Sequence, residues 1–223
     1  MNKKVISFSL YGNNPKYFVG MRKNAELARS IFPDWEVWVY HCGVDNEHLA
    51  PIEALGAKLI NMAGTGLPCT FWRMLPSVDR FIVRDADSRL SLREKLAVDE
   101  WITSGKRFHV MKDHPHHKQL IMGGMWGITI GDYDIEPKAI EWCKRDGVYG
   151  MMNVRNTDQR FLREIIYPYF CHDMMVHESI WPTIAGSLPF PTPMIDGRFI
   201  GEIYDENDNR DFQYGLLTDE WRG

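Results

Sequence analysis

The segment Arg80-Phe81-Ile82-Val83-Arg84-Asp85-Ala86-Asp87-Ser88-Arg89 delivers two carboxylates at the end of an apolar run. Successive strand residues point to opposite faces, so Asp85 and Asp87, spaced i and i+2, point the same way. Two hard oxygen ligands on one side suit Mg2+ or Mn2+, which take one or two carboxylates and complete their shell with phosphate oxygens and water. Arg84 and Arg89 flank the pair, where they would neutralise a diphosphate or hold the carboxylates in position. A bare D-x-D is most often a solvated turn. Behind an apolar strand in a chain that alternates strands and helices, the metal reading is the stronger one.

Other chemistry-bearing residues are less specific. Asp158-Gln159 opens a helical stretch, and Asp158 is either a reacting-centre carboxylate or an acid favoured in a first turn by the helix dipole. Four of the eight histidines fall between positions 109 and 117. Adjacent His116 and His117, with no nearby cysteine and no H-E-x-x-H, argue against zinc. The loop Lys112 to His117 reads instead as a polar wall of a ligand pocket, with Asp113 accepting from ligand hydroxyls, or as an exposed loop. Gly123-Gly124 marks either a strand bulge or a close approach of ligand to backbone. The glycines at 64 and 66 lack the G-K-[ST] of a phosphate loop. The cysteines Cys42, Cys69, Cys143 and Cys171 form no C-x-x-C pair, and read as small buried hydrophobes in a reducing compartment.

The elements that position these residues follow from periodicity. Val5 to Leu10 is a short strand ending at the turn cluster Tyr11-Gly12-Asn13-Asn14-Pro15. A helix is expected over 16–31, with Phe18, Met21, Ala25 and Ala28 near one face. Strands are expected at 35–42, 58–61 and 79–83, with a helix from Asp45 to Gly56 and another at 70–76. Strand and helix thus alternate three times, which points to an α/β sheet whose early strands are parallel and whose ligands sit beyond the strands' carboxyl ends. Further on, Ser91-Leu92-Arg93-Glu94 is a capping box for a helix ending near Gly105. Strands are expected at 107–112 and 121–130, and helices at 137–146 and from Asn156. From Asp196 onward, eight acids face three arginines. That tail, residues 196–223, is either a solvated end or a flap over a charged ligand.

Strand and D-x-D at mid-chain, after an N-terminal strand–helix half, resemble the GT-A fold glycosyltransferases that use nucleotide sugars. The wider pattern Phe71-Trp72-Arg73, Phe81 to Leu90, Asp113-His114-Pro115 and Gly123-Gly124-Met125-Trp126-Gly127 is similar to small bacterial surface-polysaccharide and chlorella-virus members. The resemblance implies a single α/β/α sandwich of the GT-A type with a mixed central sheet. Residues 1–90 would form a Rossmann-like nucleotide-binding half and 91–195 a donor-sugar and acceptor half. It implies that Asp85 and Asp87 hold Mn2+ or Mg2+ against the donor diphosphate, with Ala86 between them at the nucleotide. The strand end Ser7, Phe8, Ser9, Leu10 and Tyr11 would cradle base and ribose. Arg73 and Arg84 would contact nucleotide or phosphate, Gly123 and Gly124 would lie beside the donor sugar, and Asp158 would serve the reacting centre. Family members often add a C-terminal histidine to the metal; His172 and His177 are available, and neither sits in a matching motif. The implied partners are a nucleoside diphosphate sugar, with uridine as the family's habitual base, and a glycan or glycoconjugate acceptor. Retention at the anomeric carbon is favoured, because no unambiguous general base appears.

Composition is consistent with this reading. The 223 residues are 44% hydrophobic and 25% charged, with a net charge of −4, so binding of nucleic acid through charge alone is disfavoured. No apolar run reaches the roughly 18 residues of a membrane span, and the opening Met1 to Ser7 lacks a signal-peptide apolar region, so a cytoplasmic protein is expected. Eight tryptophans are either core or ring-stacking platforms. Two rival readings stand. A haloacid-dehalogenase-like phosphatase also places D-x-D after a strand, but near its N-terminus and with Thr or Val where Arg89 stands here. The other rival is a non-catalytic nucleotide- or glycan-binding module.

Overall fold

A computed structural model describes residues 3–180 and 182–210. Seven strands form one sheet in the order β3-β2-β1-β4-β6-β5-β7. The first four are β1 (Lys4–Tyr11), β2 (Glu36–Cys42), β3 (Lys58–Asn61) and β4 (Arg80–Arg84), all mutually parallel. They match the expected strands to within about a residue or two. Helix α1 (Pro15–Ile31) begins where Asn14 caps it, its side-chain oxygen accepting the Lys16 N–H at 3.1 Å, with Pro15 as first residue. Helices α2 (Asn46–Ala54) and α3 (Cys69–Trp72) complete this half. The Asp45 side chain makes no cap bond, contrary to the expectation from its type and place.

The second half is less regular. Helix α4 (Leu92–Ser104) starts on Ser91, whose hydroxyl accepts the Glu94 N–H at 3.2 Å, and ends on left-handed Gly105. Strand β5 (Phe108–Lys112) follows as expected. The expected 121–130 strand is shorter: only β6 (Met125–Thr129) pairs, antiparallel to both β4 and β5, which makes the sheet mixed. Helix α5 (Ile135–Arg145) starts two residues before the expected Pro137, on an Asp134 cap. Helix α6 (Thr157–Phe161) runs through a π turn, Leu162–Ile166, into α7 (Tyr167–Phe170). Asn156 precedes α6 in the left-handed region at φ 60° and its side chain makes no cap bond. Strand β7 (Met174–Glu178), parallel to β5, was not legible in the sequence.

Alternation in β1 assigns one side chain to each layer. Ile6, Phe8 and Leu10 pack beneath α1, α2 and α4, while Val5 and Tyr11 face the layer built on Phe71, Trp72, Trp126 and Trp142. The result is the expected α/β/α sandwich. All six described tryptophans (Trp35, Trp38, Trp72, Trp101, Trp126, Trp142) are buried, so they are core and not ring-stacking platforms. The four cysteines are free, Cys69 and Cys143 buried and Cys42 and Cys171 half-buried. No helix among the described residues is long and apolar enough to cross a membrane.

Candidate active site

The carboxyl ends of β1 and β4 lie side by side, because Ser7 is in register with Val83. Beyond β4 the chain turns at once. The Ser88 N–H and hydroxyl both donate to the Asp85 carbonyl, at 3.3 and 2.9 Å. Asp85 and Asp87 therefore sit on a turn and not on an extended strand, yet both line one cavity of about 230 Å3. Ala86, between them, is buried beneath α1. There, Asn24 donates from Nδ2 to the carbonyls of Ala86 (3.3 Å) and Ser88 (2.8 Å), and its Oδ1 accepts the Leu90 N–H at 3.0 Å. Gly20 makes this contact possible, since a Cβ there would overlap the Ala86 carbonyl. Helix α1 thus fixes the shape of the acidic turn. The signal for Asn24 was a buried amide on the apolar face that carries Met21, Ala25 and Ala28.

Arg73 is the hub of the cavity floor. Its backbone N–H donates to Ser9 Oγ at 3.1 Å, tying the end of α3 to β1. Its guanidinium pairs with Asp85, reaches the Arg84 carbonyl at 3.3 Å and meets Asp158 Oδ2 at 3.1 Å. Burial opposes the Arg73 charge, but Asp85 and Asp158 outweigh it and hold the side chain protonated far above neutrality. Asp158 is buried, which raises its carboxyl pKa; Arg73 and the Gln159 N–H at 2.9 Å pull the other way. Asp87 is also raised, first by burial and then by the Asp85 charge, while the Lys16 ammonium 2.9 Å from its Oδ2 lowers it. The two neighbouring glycines give these groups room: a Cβ on Gly124 would overlap Asp85 Oδ2, and one on Gly123 would come within 2.7 Å of Asp158 Oδ2. Tyr11, half-buried at the end of β1, packs edge-on to Trp72 at 6.1 Å, and burial pushes its phenol up to about 12.

Several expected contacts are corrected by this geometry. Arg84 turns away from the cavity; it pairs with buried Glu94 and donates to the carbonyls of Val83 (2.6 Å) and Trp126 (3.0 Å). Arg89 points to the C-terminal segment, pairing with Asp208 at 2.8 Å and covering the Tyr204 ring. Asp113 is fully buried, with Arg93 on both its oxygens and the Ile200 N–H donating to it at 2.9 Å, and it does not line the cavity, so it is not placed to bond a sugar hydroxyl. Phe8 and Leu10 are core side chains, and Ser7 is fully buried within the sheet, so of the expected cradle only Ser9 and Tyr11 reach the site. His177 is buried between His109 (2.8 Å) and Glu100 (3.3 Å) on β7, and exposed His172 precedes β7 at the opposite end of the sheet. Neither reaches the acidic turn.

The histidines that do line the cavity are His114, His116 and His117. The Asp113 N–H donates to His117 Nδ1 at 3.0 Å, and the His116 N–H to His114 Nδ1 at 3.1 Å. A neutral ring that accepts at Nδ1 carries its proton on Nε2, so both rings are donors in this arrangement and not metal ligands. Burial pushes the His117 pKa down to about 3, keeping that ring neutral. The rest of the wall comes from the C-terminal segment, where Phe199, Gly201 and Ile203 line the cavity and the Tyr204 N–H donates to the Asp87 carbonyl at 2.9 Å. Residues 199–204 are therefore a packed wall, whereas 206–209 are exposed; the remainder of the expected tail, 211–223, lies outside the described residues.

Asp85 and Asp87 fit a hard divalent cation. Both carboxylates face one cavity, each repels the other's charge, and Gly124 keeps the approach to Asp85 open. Among the described residues no cluster of three or more His, Cys, Asp or Glu side chains stands ready as a metal cage. That pattern matches Mg2+ and Mn2+ sites, which combine one or two carboxylates with phosphate oxygens and water.

The sheet order, with parallel β1 to β4, antiparallel β6 beside them and an acidic turn after β4, defines the GT-A fold. The chain is similar to the galactosyltransferase LgtC solved with donor and acceptor sugar analogues, at 16% identity, over 80% of this chain and 74% of that one, with a TM-score of 0.52. An active-site variant of LgtC matches at 14% identity over 85% and 80%, with a TM-score of 0.51. A glycosyltransferase involved in glycosylating the major capsid of PBCV-1 matches at 16% identity over 79% and 81%, with a TM-score of 0.47. No protein-family model and no curated protein matches the sequence.

Proposed function

We propose that this chain is a metal-dependent glycosyltransferase that moves a sugar from a nucleoside diphosphate sugar, uridine favoured, to a hydroxyl of a glycan or glycoconjugate acceptor. The observation that carries the reading is the convergence of Asp85, Asp87 and Asp158 on one glycine-floored cavity beyond the carboxyl ends of parallel strands in a GT-A sheet. Asp85 and Asp87 would hold Mn2+ or Mg2+ together with the donor's phosphate oxygens. The bound ion supplies Lewis-acid stabilisation of the charge that grows on the leaving diphosphate.

The chain's own residues do the remaining work. Arg73 holds Asp85 and Asp158 in one geometry, so that neither reorganises as the reaction proceeds. Asp158, beside Gly123, offers negative charge where positive character develops on the anomeric carbon. Tyr11 offers a ring edge to the base. His117 presents an N–H donor to oxygens of the donor. Asp85, Asp87 and Asp158 are the only carboxylates among the described cavity residues, and Asp158 is already engaged by Arg73 and Gln159. The lack of a spare carboxylate base among the described cavity residues supports retention of anomeric configuration.

The test is calorimetric titration of a uridine diphosphate sugar into wild type, Asp85→Asn and Asp87→Asn, with Mn2+ and with chelator. Affinity should fall by at least ~100-fold when either carboxylate or the metal is removed. Equal affinity in all samples overturns the reading.

A further inference from the structure

The acidic turn carries two like charges on one short stretch of backbone. The Asp85 charge opposes ionisation of Asp87, so an unconstrained turn would relax by letting the two carboxylates swing apart. The backbone of this turn is not free to do so. The Asp85 carbonyl takes the Ser88 N–H and hydroxyl, and the Asp87 carbonyl takes the Tyr204 N–H. The carbonyls on either side of Asp87, those of Ala86 and Ser88, share one partner. Asn24 donates to both, at 3.3 and 2.8 Å, and accepts the Leu90 N–H at 3.0 Å. Both amide hydrogens are thereby used, and the side chain is fully buried. Its buried neighbours on α1 are Gly20, Met21, Ala25 and Ala28, a face on which an amide is costly unless its bonds are made. Gly20 brings the helix against the Ala86 carbonyl, where a Cβ would overlap it. The contact is therefore close as well as hydrogen-bonded, and a fully satisfied buried network of this kind is rigid.

We propose that Asn24 is a positioning residue for the metal site: by clamping the backbone on both sides of Asp87 it fixes the spacing of the two carboxylates, and so sets the preference of the site for Mg2+ and Mn2+ over Ca2+. Mg2+ demands near-octahedral oxygens at about 2.0–2.1 Å, whereas Ca2+ accepts flexible arrangements at roughly 2.3–2.6 Å. A turn held to one shape serves the stricter ion. A turn free to spread loses that ion first and the larger one less. Residues that orient ligands without touching the metal commonly change metal affinity by ~10–100-fold. The inference rests on Asp85 and Asp87 being the metal site, as proposed above.

Asn24→Ala removes both donors. Asn24→Ser keeps a hydroxyl and leaves room for water, and is the milder variant. Ile52→Ala, which empties a buried position of α2, is the control for lost stability alone. Mn2+ is titrated into each protein, with binding followed by loss of the free-ion electron paramagnetic resonance signal. Mg2+ and Ca2+ affinities are then read from displacement of the bound Mn2+, and thermal melting reports the stability of each variant. Asn24→Ala should bind Mn2+ roughly tenfold more weakly than wild type, and its Mg2+-to-Ca2+ affinity ratio should fall roughly three- to tenfold, with Asn24→Ser in between. Ile52→Ala should melt lower and keep both values. Wild-type Mn2+ affinity or a wild-type ion ratio in the folded Asn24 variants, an equal loss in Ile52→Ala, or failure of both Asn24 variants to fold overturns the positioning role and leaves the metal site standing. Failure of wild type itself to bind Mn2+ overturns the metal site, and the inference with it.

Discussion

Two sets of buried charge lie at the same end of the sheet and behave differently. At the acidic turn, Arg73 pairs with Asp85 and Asp158, and Lys16 with Asp87. Around it, Arg84 pairs with Glu94, Arg93 with Asp113 and Lys112 with Glu178. Every carboxylate of the second set is sealed. Asp113 accepts two bonds from Arg93 and one from Ile200, and Glu178 accepts from Lys112, Thr183 and the Ile184 N–H. In the first set, the Asp85 side chain keeps 45% of its surface exposed, and the residue facing it, Gly124, has no side chain to cover it. An arginine partner is common to both sets, so it does not mark a functional acid. Access from the cavity does. The sealed pairs instead fasten the parts that surround the floor: Arg84–Glu94 joins β4 to α4, and Arg93–Asp113, through Ile200, fastens the C-terminal wall.

Substitutions should separate the two sets. The largest effect on stability is expected for Asp113→Ala, which leaves the Arg93 guanidinium buried without its partner and should cost about 3–5 kcal/mol in urea unfolding. Asp85→Asn, also the partner of a buried arginine, should change stability by less than about 1 kcal/mol, because Asp158 still neutralises Arg73 and repulsion with Asp87 is relieved. A large loss in Asp85→Asn would erase the distinction drawn here. Next is Asp158→Asn, which should reduce turnover by at least ~100-fold with donor affinity nearly retained, measured by steady-state kinetics and calorimetry on the same preparation. Gly124→Ala should follow, lowering Mn2+-dependent nucleotide affinity on the order of tenfold by driving a methyl group into Asp85. Wild-type nucleotide affinity in Gly124→Ala would mean that Asp85 has freedom to move that its Arg73 contact does not suggest.

The smallest effect is a pH dependence that belongs to neither set. His109 and His177 are buried against each other, and burial lowers both pKa values below the usual 6.5 or so of a free imidazole. The folded rings stay neutral where the unfolded chain begins to take up protons. Stability from this pair is therefore fully present above about pH 6.5 and is lost as pH falls below it, by at most about 1.4 kcal/mol per ring per pH unit. Melting temperature should drop between pH 7 and pH 5. His109→Phe, which preserves the stack on Trp101, should flatten that slope; an unaltered slope would assign the acid sensitivity to other groups.

How much of this was legible in the sequence differs along the chain. In residues 3–90, short apolar runs bounded by turn signals located the strands, and the D-x-D at the end of an apolar run located the acidic pair. The second half resisted. Strand β7 reads Met-Met-Val-His-Glu, whose buried His177 and Glu178 look polar until their partners Glu100 and Lys112 are known. Asp113 and the histidine run looked like site chemistry because residue type reveals capacity for hydrogen bonding, not whether that capacity is already used.

Local sequence by itself therefore determined the layered α/β frame and the two carboxylates beyond β4, since both depend on patterns a few residues long. Only the tertiary structure decided which charges are available. Arg73 meets Asp158 across 85 positions, Arg93 meets Asp113 across 20, Asn24 reaches Ser88 across 64, and Lys16 meets Asp87 from the first turn of α1. Such pairings are set by how helices pack on a sheet, where desolvation makes each buried charge seek one particular partner, and no local spacing in the chain encodes that choice.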